Sequence, residues 1–315
     1  MKIRRIHVQP LFLSSRFSAV FAVLLLMNVY GGSPLSADEY EEVAVLRDKD
    51  IDEASGLAIS YANPGHIWIH NDSGDKPDLF LVGTDGKTSA VVRIRDVEPY
   101  DWEDMCSFQM DGQSWLLIGD IGDNQRNRGK KKTKRCRLLL IKEPEIPKSN
   151  GQPTVKWDVS SEIKFDYEDG RWDCEGVAVD AVRREILLLT KENPADCGLY
   201  SLPLDLKTEE QRLTAKRIAS PFVLFATALD ISPDGRTMAI GTLLNGVVVT
   251  RGESESWKDA CARPGTVINL PPRKQGETIC FDQSGEWLYL NSESEKQPLW
   301  RMKVPTTERR QRPKL

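Results

Sequence analysis

The sequence predicts an all-β fold, on three observations. Short apolar or β-branched runs recur along the chain with turn residues between them, and no stretch after residue 40 keeps a helical hydrophobic period over three turns. Five of these runs begin at a comparable position, and each is followed by a turn and a second, more apolar run. The residues at that shared position are Ser55, Glu103, Glu175, Thr227 and Glu277.

The spacing of these five positions predicts the architecture. They are separated by 48, 72, 52 and 50 residues, and the second runs read "HIWIH", "WLLIG", "EILLLT", "TMAIG" and "EWLYL". Turns between first and second runs, such as "SPDG" and "DQSG", are typical of β-hairpins. A period near 50 residues with about four strands is what one blade of a β-propeller requires. We therefore predict a five-bladed β-propeller over residues 38–305.

The two ends of the propeller are predicted to meet. The segment "EEVAVLRD" at 41–48 is free to supply the outer strand of the last blade, which would close the ring and remove exposed sheet edges. The long 72-residue interval contains a basic segment at 125–137 and a linker near "SNGQP". A six-bladed ring, with that interval divided in two, is the alternative, and two separate sandwiches are a third possibility.

The N-terminus resembles an export signal. The first 37 residues carry four basic side chains and no acid, followed by an apolar run at 17–30 and the tail "GGSPLSA". This layout is typical of a secretory signal peptide cleaved after Ala37. An uncleaved membrane anchor is the alternative, although the run of about 14 residues is shorter than the ~20 of a spanning helix. We expect a secreted or periplasmic protein, free of the membrane after cleavage, with a polar basic tail at 306–315.

Composition indicates which classes of partner are disfavoured and whether disulfides can form. The whole chain has 43 basic and 47 acidic residues, and removing residues 1–37 makes it more acidic, which does not favour nucleic acid as a partner. All six cysteines follow residue 37, and an oxidising compartment permits up to three disulfides. Cys174 and Cys197, expected at the same end of the ring, are the preferred pair. The sequence does not specify an oligomeric state.

The five shared positions form a candidate metal site. The innermost strand of every blade lines the central channel, so Ser55, Glu103, Glu175, Thr227 and Glu277 are expected to converge on the axis. Three facing carboxylates would repel one another and raise each other's pKa, and a divalent cation would remove that conflict. Oxygen donors without His or Cys suit Ca²⁺. The alternative is a wet channel in which the carboxylates are hydrated or hydrogen bonded to neighbouring backbone.

The order Ser, Glu, Glu, Thr, Glu resembles the axial calcium site of the calcium-activated nucleotidase (apyrase) family, a five-bladed propeller with serine and glutamate ligands in a matching order. Thr227 stands where that order has a serine, so one hydroxyl side chain replaces another. The segment "DWEDMCSFQMDGQSWLLIGDIGDN" is similar in layout to that family's second blade. Six-bladed propellers of the paraoxonase and gluconolactonase type are a weaker resemblance, because they use more Asn and Asp at the axis. "EASGLAIS…HNDSG" with "DWEDM…GDIGDN" also resembles uncharacterised secreted bacterial propellers. The resemblance bears on fold and metal rather than on reaction.

Further polar and aromatic groups are predicted on the same face. Two acids that precede the shared positions are candidate catalytic bases, and tryptophans beside them could stack on a sugar or base or could cover the core. A repeated Asp-x-Gly-Asp can be interpreted as a cation or substrate site on the rim of the ring, or as a turn. Eight basic residues at 125–137 could hold an anion or form a solvated hairpin tip. The candidate bases are Asp101 and Asp173, and the candidate substrate-binding residues are Trp102, Asp120, Asp123, Arg126, Arg171, Trp172 and Lys191.

Several chemistries lack their sequence motifs. The chain has no Cys-x-x-Cys, no P-loop, no Gly-x-Gly-x-x-Gly and no Gly-x-Ser-x-Gly. The leading hypothesis is a secreted calcium-binding propeller that hydrolyses a phosphate-containing or ester substrate at the axial face. The alternative is a non-catalytic module that binds a glycan or protein, with calcium in a structural role.

Overall fold

The structure, a computed structural model, describes residues 40–72, 74, 76–130, 133–147 and 151–305. The predicted signal peptide at 1–37 and the basic tail at 306–315 lie outside the described residues. Within the described part of the chain, no helix is long and apolar enough to cross a membrane. These residues form an all-β fold with a single short helix, α1 (Trp257–Ala260), among the described segments.

The first and last groups of strands hold the two ends of the chain. The first group contains β2 (Ala54–Ile59), β3 (His66–Asn71), β4 (Asp78–Gly83) and β5 (Thr88–Ile94). The last group contains β19 (Cys280–Phe281), β20 (Trp287–Leu290), β21 (Pro298–Lys303) and, at its outer edge, β1 (Tyr40–Val45). Strand β1 pairs antiparallel with β21, so the predicted closure of the ring by an N-terminal strand is confirmed.

Three further groups lie between them in sequence. The second contains β6 (Trp102–Met110), β7 (Gln113–Asp120), β8 (Cys136–Lys142) and β10 (Ser161–Tyr167). The third contains β11 (Cys174–Asp180), β12 (Glu185–Thr190), β13 (Leu199–Pro203) and β14 (Glu210–Ala219). The fourth contains β15 (Ala226–Ile231), β16 (Thr237–Thr242), β17 (Gly246–Thr250) and β18 (Thr266–Ile268).

The 72-residue interval is long because it supplies an extra outer strand. After β8 the chain forms β9 (Thr154–Trp157), which pairs in parallel with β5 of the first group. It then returns as β10, which pairs antiparallel with β8 and in parallel with β14. The second and third groups therefore form one continuous eight-stranded sheet. None of the strands in this interval begins a new group.

The first strands of the five groups form a ring. Strand β2 contacts β6, β6 contacts β11, β11 contacts β15, β15 contacts β19, and β19 contacts β2. This cyclic order of antiparallel groups is that of a β-propeller, and we interpret the five groups as five blades.

Burial explains the hydrophobic pattern of the strands. Each second strand is buried along nearly its whole length, because neighbouring groups cover both of its faces. The outer strand β14 instead alternates between exposed and partly buried residues over most of its length. The hairpin turns use glycine where the backbone needs a left-handed conformation, at Gly235 (φ 68°) and Gly285 (φ 74°).

Candidate metal centre

The predicted ligands lie at irregularities of the innermost strands. The hydrogen-bonded register shifts where β2 pairs with β3, and the same happens in the next three groups. A residue at such a bulge leaves the regular pairing, and its side chain is re-aimed. The predicted ligands within these shifts are Ser55, Glu103, Glu175 and Thr227. The fifth, Glu277, precedes the short strand β19.

Three carboxylates meet at this level of the channel. One carboxylate oxygen from each of Glu103, Glu175 and Glu277 lies within 4.8 Å of the other two. The three residues are only 4 %, 2 % and 4 % exposed. The convergence that the repeat predicts is therefore present in the described structure.

The two hydroxyl side chains hold neighbouring inner strands together. The Ser55 hydroxyl donates to the backbone carbonyl of Glu103, and the Thr227 hydroxyl donates to the carbonyl of Gly276 at 2.9 Å. Both residues are buried. Each hydroxyl uses its hydrogen in a bond to the next group of strands in the ring. Only the lone pairs of its oxygen are then available to a cation.

Burial is the main cause of the raised pKa values of Glu175 and Glu103. It raises the pKa of Glu175 to about 8, against the opposing effect of the Lys191 ammonium. The Lys191 Nζ atom lies 3.0 Å from Glu175 Oε1. Burial also raises the pKa of Glu103 well above its ordinary value, with the charge of Glu175 as the next cause. Lys191, predicted to hold a substrate anion, is instead paired with a predicted metal ligand.

The group as a whole suits a hard divalent cation. All of its side-chain donors are oxygens, which is the ligand class that Ca²⁺ prefers. Three ionised carboxylates and the Lys191 ammonium leave a formal charge of minus two, which one divalent cation balances. Among the described residues, no hydrogen bond reaches the carboxylate of Glu103, although this side chain is almost wholly buried. A buried carboxylate without a partner is costly, so the residues present fit a bound cation.

The two candidate bases flank this centre. Asp101 is partly buried, and burial together with the charge of Asp72 raises its pKa to about 6. Asp173 is more deeply buried, and its Oδ1 atom accepts a hydrogen bond from the backbone N–H of Asp123 at 2.8 Å. Burial is also the main cause of the raised pKa of Asp173. Either carboxyl can therefore exchange a proton closer to neutral pH than an exposed aspartate.

Three predicted substrate-binding residues are structural instead. Trp102 is 1 % exposed and packs in the core between the first two groups, so it does not offer a ring face to a ligand. Asp120 is fully buried between Arg128 at 2.8 Å and Arg137 at 2.9 Å. The carboxylate of Asp123 accepts backbone N–H groups of residues 127 and 128 and shapes that loop. For these residues the packing and turn interpretations fit the structure.

Other predicted substrate-binding residues do reach the surface. Arg126 is exposed over about half of its side chain, pairs with Glu192, and lies over the ring of Trp172 at 5.1 Å. Arg171 is exposed and donates to the backbone carbonyl of Arg128 at 3.0 Å. The basic segment thus contributes one accessible guanidinium at Arg126 and one buried anchor at Arg128. Residues 131 and 132 of the segment lie outside the described residues.

The predicted disulfide is absent. All six cysteines are buried and free. The Cys174 thiol donates to the carbonyl of Leu189 at 3.4 Å, and the Cys197 thiol donates to the carbonyl of Thr190 at 3.4 Å. Cys174 packs in the core that the third group shares with the second, whereas Cys197 packs in the core shared with the fourth. The two thiols therefore lie on opposite faces of one sheet, which is why they do not pair.

Two buried aspartates of the inner strands, Asp104 and Asp230, connect neighbouring groups of strands by hydrogen bonds. Asp104 Oδ2 accepts the backbone N–H groups of Val177 at 2.9 Å and Leu229 at 3.0 Å, from two different groups. Asp230 Oδ2 accepts the N–H of Phe281 at 2.7 Å, from the last group. In the sequence both residues are acidic positions within apolar strands, which is the pattern of a buried carboxylate that accepts backbone hydrogen bonds.

Two further features of this region were missed in the sequence. Glu293, in the loop after the second strand of the last group, lies near Glu277, and its pKa is raised to about 7 by burial and by the Glu277 charge. Phe222 and Phe225, just before Thr227, are exposed and have positive φ angles of 57° and 49°. Such a backbone is unfavourable for bulky residues and often marks a functional loop.

Comparisons with known proteins add little to this geometry. No protein-family model and no curated protein sequence matches the chain. Among solved structures, the PQQ-bound aldose sugar dehydrogenase of Streptomyces coelicolor is similar with a TM-score of 0.43 and 10 % identity, covering 86 % of this chain and 99 % of that one. The WD40 domain of Neurospora crassa Pan2 has a TM-score of 0.39 and 13 % identity, covering 88 % of this chain and all of the other. Neither likeness is close enough to support an argument, so the fold is assigned from the strand pairing of this chain. The likeness to the nucleotidases stays a prediction.

Proposed function

We propose that this chain is an exported calcium-binding β-propeller that hydrolyses a small phosphate-containing or ester substrate at its axial face. The observation that carries the proposal is the convergence of three buried carboxylates, Glu103, Glu175 and Glu277, within 4.8 Å of one another. Calcium bound there would polarise a substrate oxygen and orient water.

The residues around the centre support the remaining roles. Asp101 and Asp173 are the candidate general bases, because burial brings their pKa values closer to neutral pH. Arg126 and Arg171 are accessible cations that can hold a phosphate or carboxylate group. The exposed Phe225, whose backbone N–H donates to the carbonyl of Glu192, brings an apolar surface to the same region. An ester with an apolar acyl or aryl part would suit that surface.

A specific observation favours the second candidate, a binding module with structural calcium. Three of the predicted substrate-binding side chains, Trp102, Asp120 and Asp123, are buried and fully used in packing or in loop formation. In this alternative the cation only joins the inner strands, and the rim recognises a glycan or protein.

Hydrolysis of chromogenic substrates tests the choice. Wild-type protein, Glu277→Gln and the control Glu286→Gln are assayed with p-nitrophenyl phosphate and p-nitrophenyl acetate, in EDTA and in Ca²⁺. Glu286 is exposed in the turn between β19 and β20, so its substitution changes the same charge away from the centre.

We expect calcium-dependent turnover in wild type and in Glu286→Gln, and loss of it in Glu277→Gln with an unchanged circular dichroism spectrum. A melting temperature that rises with Ca²⁺ in wild type, without turnover of either substrate, would support the binding module. Equal turnover in EDTA and in Ca²⁺ would contradict the calcium-dependent mechanism.

A further inference from the structure

We propose that the axial face holds a second divalent-cation site, formed by Asp72, Asp101 and Glu103, beside the axial one. One carboxylate oxygen from each of these residues lies within 4.8 Å of the other two. Glu103 belongs to both groups, since it also meets Glu175 and Glu277. The inference rests on the proposed function, because it makes Glu103 a ligand common to both cations.

The Glu103 carboxylate is the observation that points to a ligand. It is almost wholly buried, and within the described segments no hydrogen-bond donor reaches it. It packs against Gly122, where an added Cβ would lie 2.0 Å from Glu103 Oε1 and 2.6 Å from Asp101 Oδ2. The missing side chain at residue 122 thus leaves the space in which these two carboxylates approach each other. A buried carboxylate held in this way needs a positive partner.

Backbone hydrogen bonds hold the other two members in place. The N–H groups of Ile121 and Gly122 donate to the carbonyl of Asp101, at 3.0 and 3.2 Å. The N–H of Asp72, directly after β3, donates to the carbonyl of Glu53 at 2.9 Å. The second site therefore joins the first and second groups of strands. Because Asp72 and Asp101 are only partly buried, water or a substrate oxygen can complete the coordination on the solvent side.

Repulsion among the carboxylates also favours a second cation. The three glutamates and Lys191 leave a formal charge of minus two, which the axial cation balances. Asp72 and Asp101 are further carboxylates beside Glu103, and besides burial the charge of Asp72 raises the pKa of both Asp101 and Glu103. The guanidinium of Arg128, paired with Asp120 at 2.8 Å, offsets part of the charge at Asp101. A second divalent cation would reduce the remaining repulsion.

The second site assigns roles to the two candidate bases. Two divalent cations that share a carboxylate can stabilise both the attacking and the leaving oxygen of a displacement. Asp101 then serves as a cation ligand rather than as the base. Asp173 remains for proton transfer, with one carboxylate oxygen held by the N–H of Asp123. All donors of the second site are carboxylate oxygens, so Ca²⁺ is the probe of choice.

Binding stoichiometry tests the inference without any substrate. Chelator-stripped protein is titrated with Ca²⁺ alone by equilibrium dialysis and isothermal titration calorimetry. The variants are Asp101→Asn, which removes an outer ligand, Glu277→Gln, which removes an inner one, and Glu53→Gln. Glu53 is exposed, occupies in the first group the position of Asp101 in the second, and belongs to neither group of three carboxylates, so it controls for lost charge.

We expect two Ca²⁺ per chain in wild type and in Glu53→Gln, and one in each of the other two variants. One ion in wild type and in Asp101→Asn, with none in Glu277→Gln, would overturn the second site and leave the axial proposal intact. One ion in wild type and in Glu277→Gln, with none in Asp101→Asn, would support the outer site and overturn the axial proposal. No binding by wild type would overturn both.

Discussion

Replacement of Glu175 by Gln is predicted to stabilise the metal-free protein and to weaken its stabilisation by calcium. Burial raises the pKa of Glu175 from its ordinary 4.5 to about 8. A carboxyl whose pKa is raised in the folded state binds its proton more tightly there than in the unfolded chain. Its contribution to stability is therefore fully present below pH 4.5 and is lost as the pH rises to about 8.

The size of the effect follows from the same pKa values. Each pH unit between the two values costs about 1.4 kcal/mol of unfolding free energy. Metal-free wild type should lose about 3 kcal/mol by pH 7 and about 4 kcal/mol by pH 9, relative to pH 4.5. Gln resembles the protonated carboxyl, so Glu175→Gln should keep this free energy. At about 2–4 °C per kcal/mol, the variant should melt roughly 6–12 °C above wild type at pH 7.

Thermal and urea unfolding in EDTA, from pH 5 to 9, measure this difference, with Glu286→Gln as the control. Calcium should reverse the order at pH 7, since a ligand at a thousand times its Kd adds about 4.1 kcal/mol to wild type, more than the deficit of about 3 kcal/mol, and much less to the variant. A metal-free wild type whose stability does not fall across this pH range would refute the reasoning. So would a Glu175→Gln variant less stable than wild type at pH 8, because Lys191 would then already neutralise the centre.

Two more predictions concern groups that support the centre. Asp104→Ala leaves the backbone N–H groups of Val177 and Leu229 without an acceptor, at about 1–3 kcal/mol each, so the urea midpoint should fall sharply. The exposed Asp50→Ala should change the unfolding free energy by no more than about 0.5 kcal/mol, and similar midpoints in the two variants would contradict the proposed link between inner strands. Gly122→Ala should weaken calcium binding by at least tenfold in calorimetry with little change in fold, because its Cβ would lie 2.0 Å from Glu103 Oε1. Gly252→Ala, whose Cβ meets nothing closer than 3.8 Å, is its control, and equal affinities in the two variants would disprove the close approach at Gly122.

The sequence by itself determined the features that depend on local pattern. Alternating and continuous apolar runs report burial of a strand on one face or on both, so the strands and their grouping could be predicted from residue order. The recurrence near 50 residues placed Glu103, Glu175 and Glu277 in one register, and the structure brings their carboxylates together. The pairing of residues 41–48 with the end of the chain also followed, because that segment was an unpaired strand.

Only the tertiary structure decided what depends on contacts between distant parts of the chain. Neighbouring strands set the bulges that redirect the ligand side chains. They also set the pairing of Lys191 with Glu175, which are 16 residues apart. The same holds for Trp102, whose sequence context fits both a stacking and a packing role until the first group of strands covers it. Cys174 and Cys197 share one sheet but face different neighbours. The physical reason is common to all of these: a short segment's pattern shows that a side chain is buried or polar, but the group that meets it comes from elsewhere in the ring.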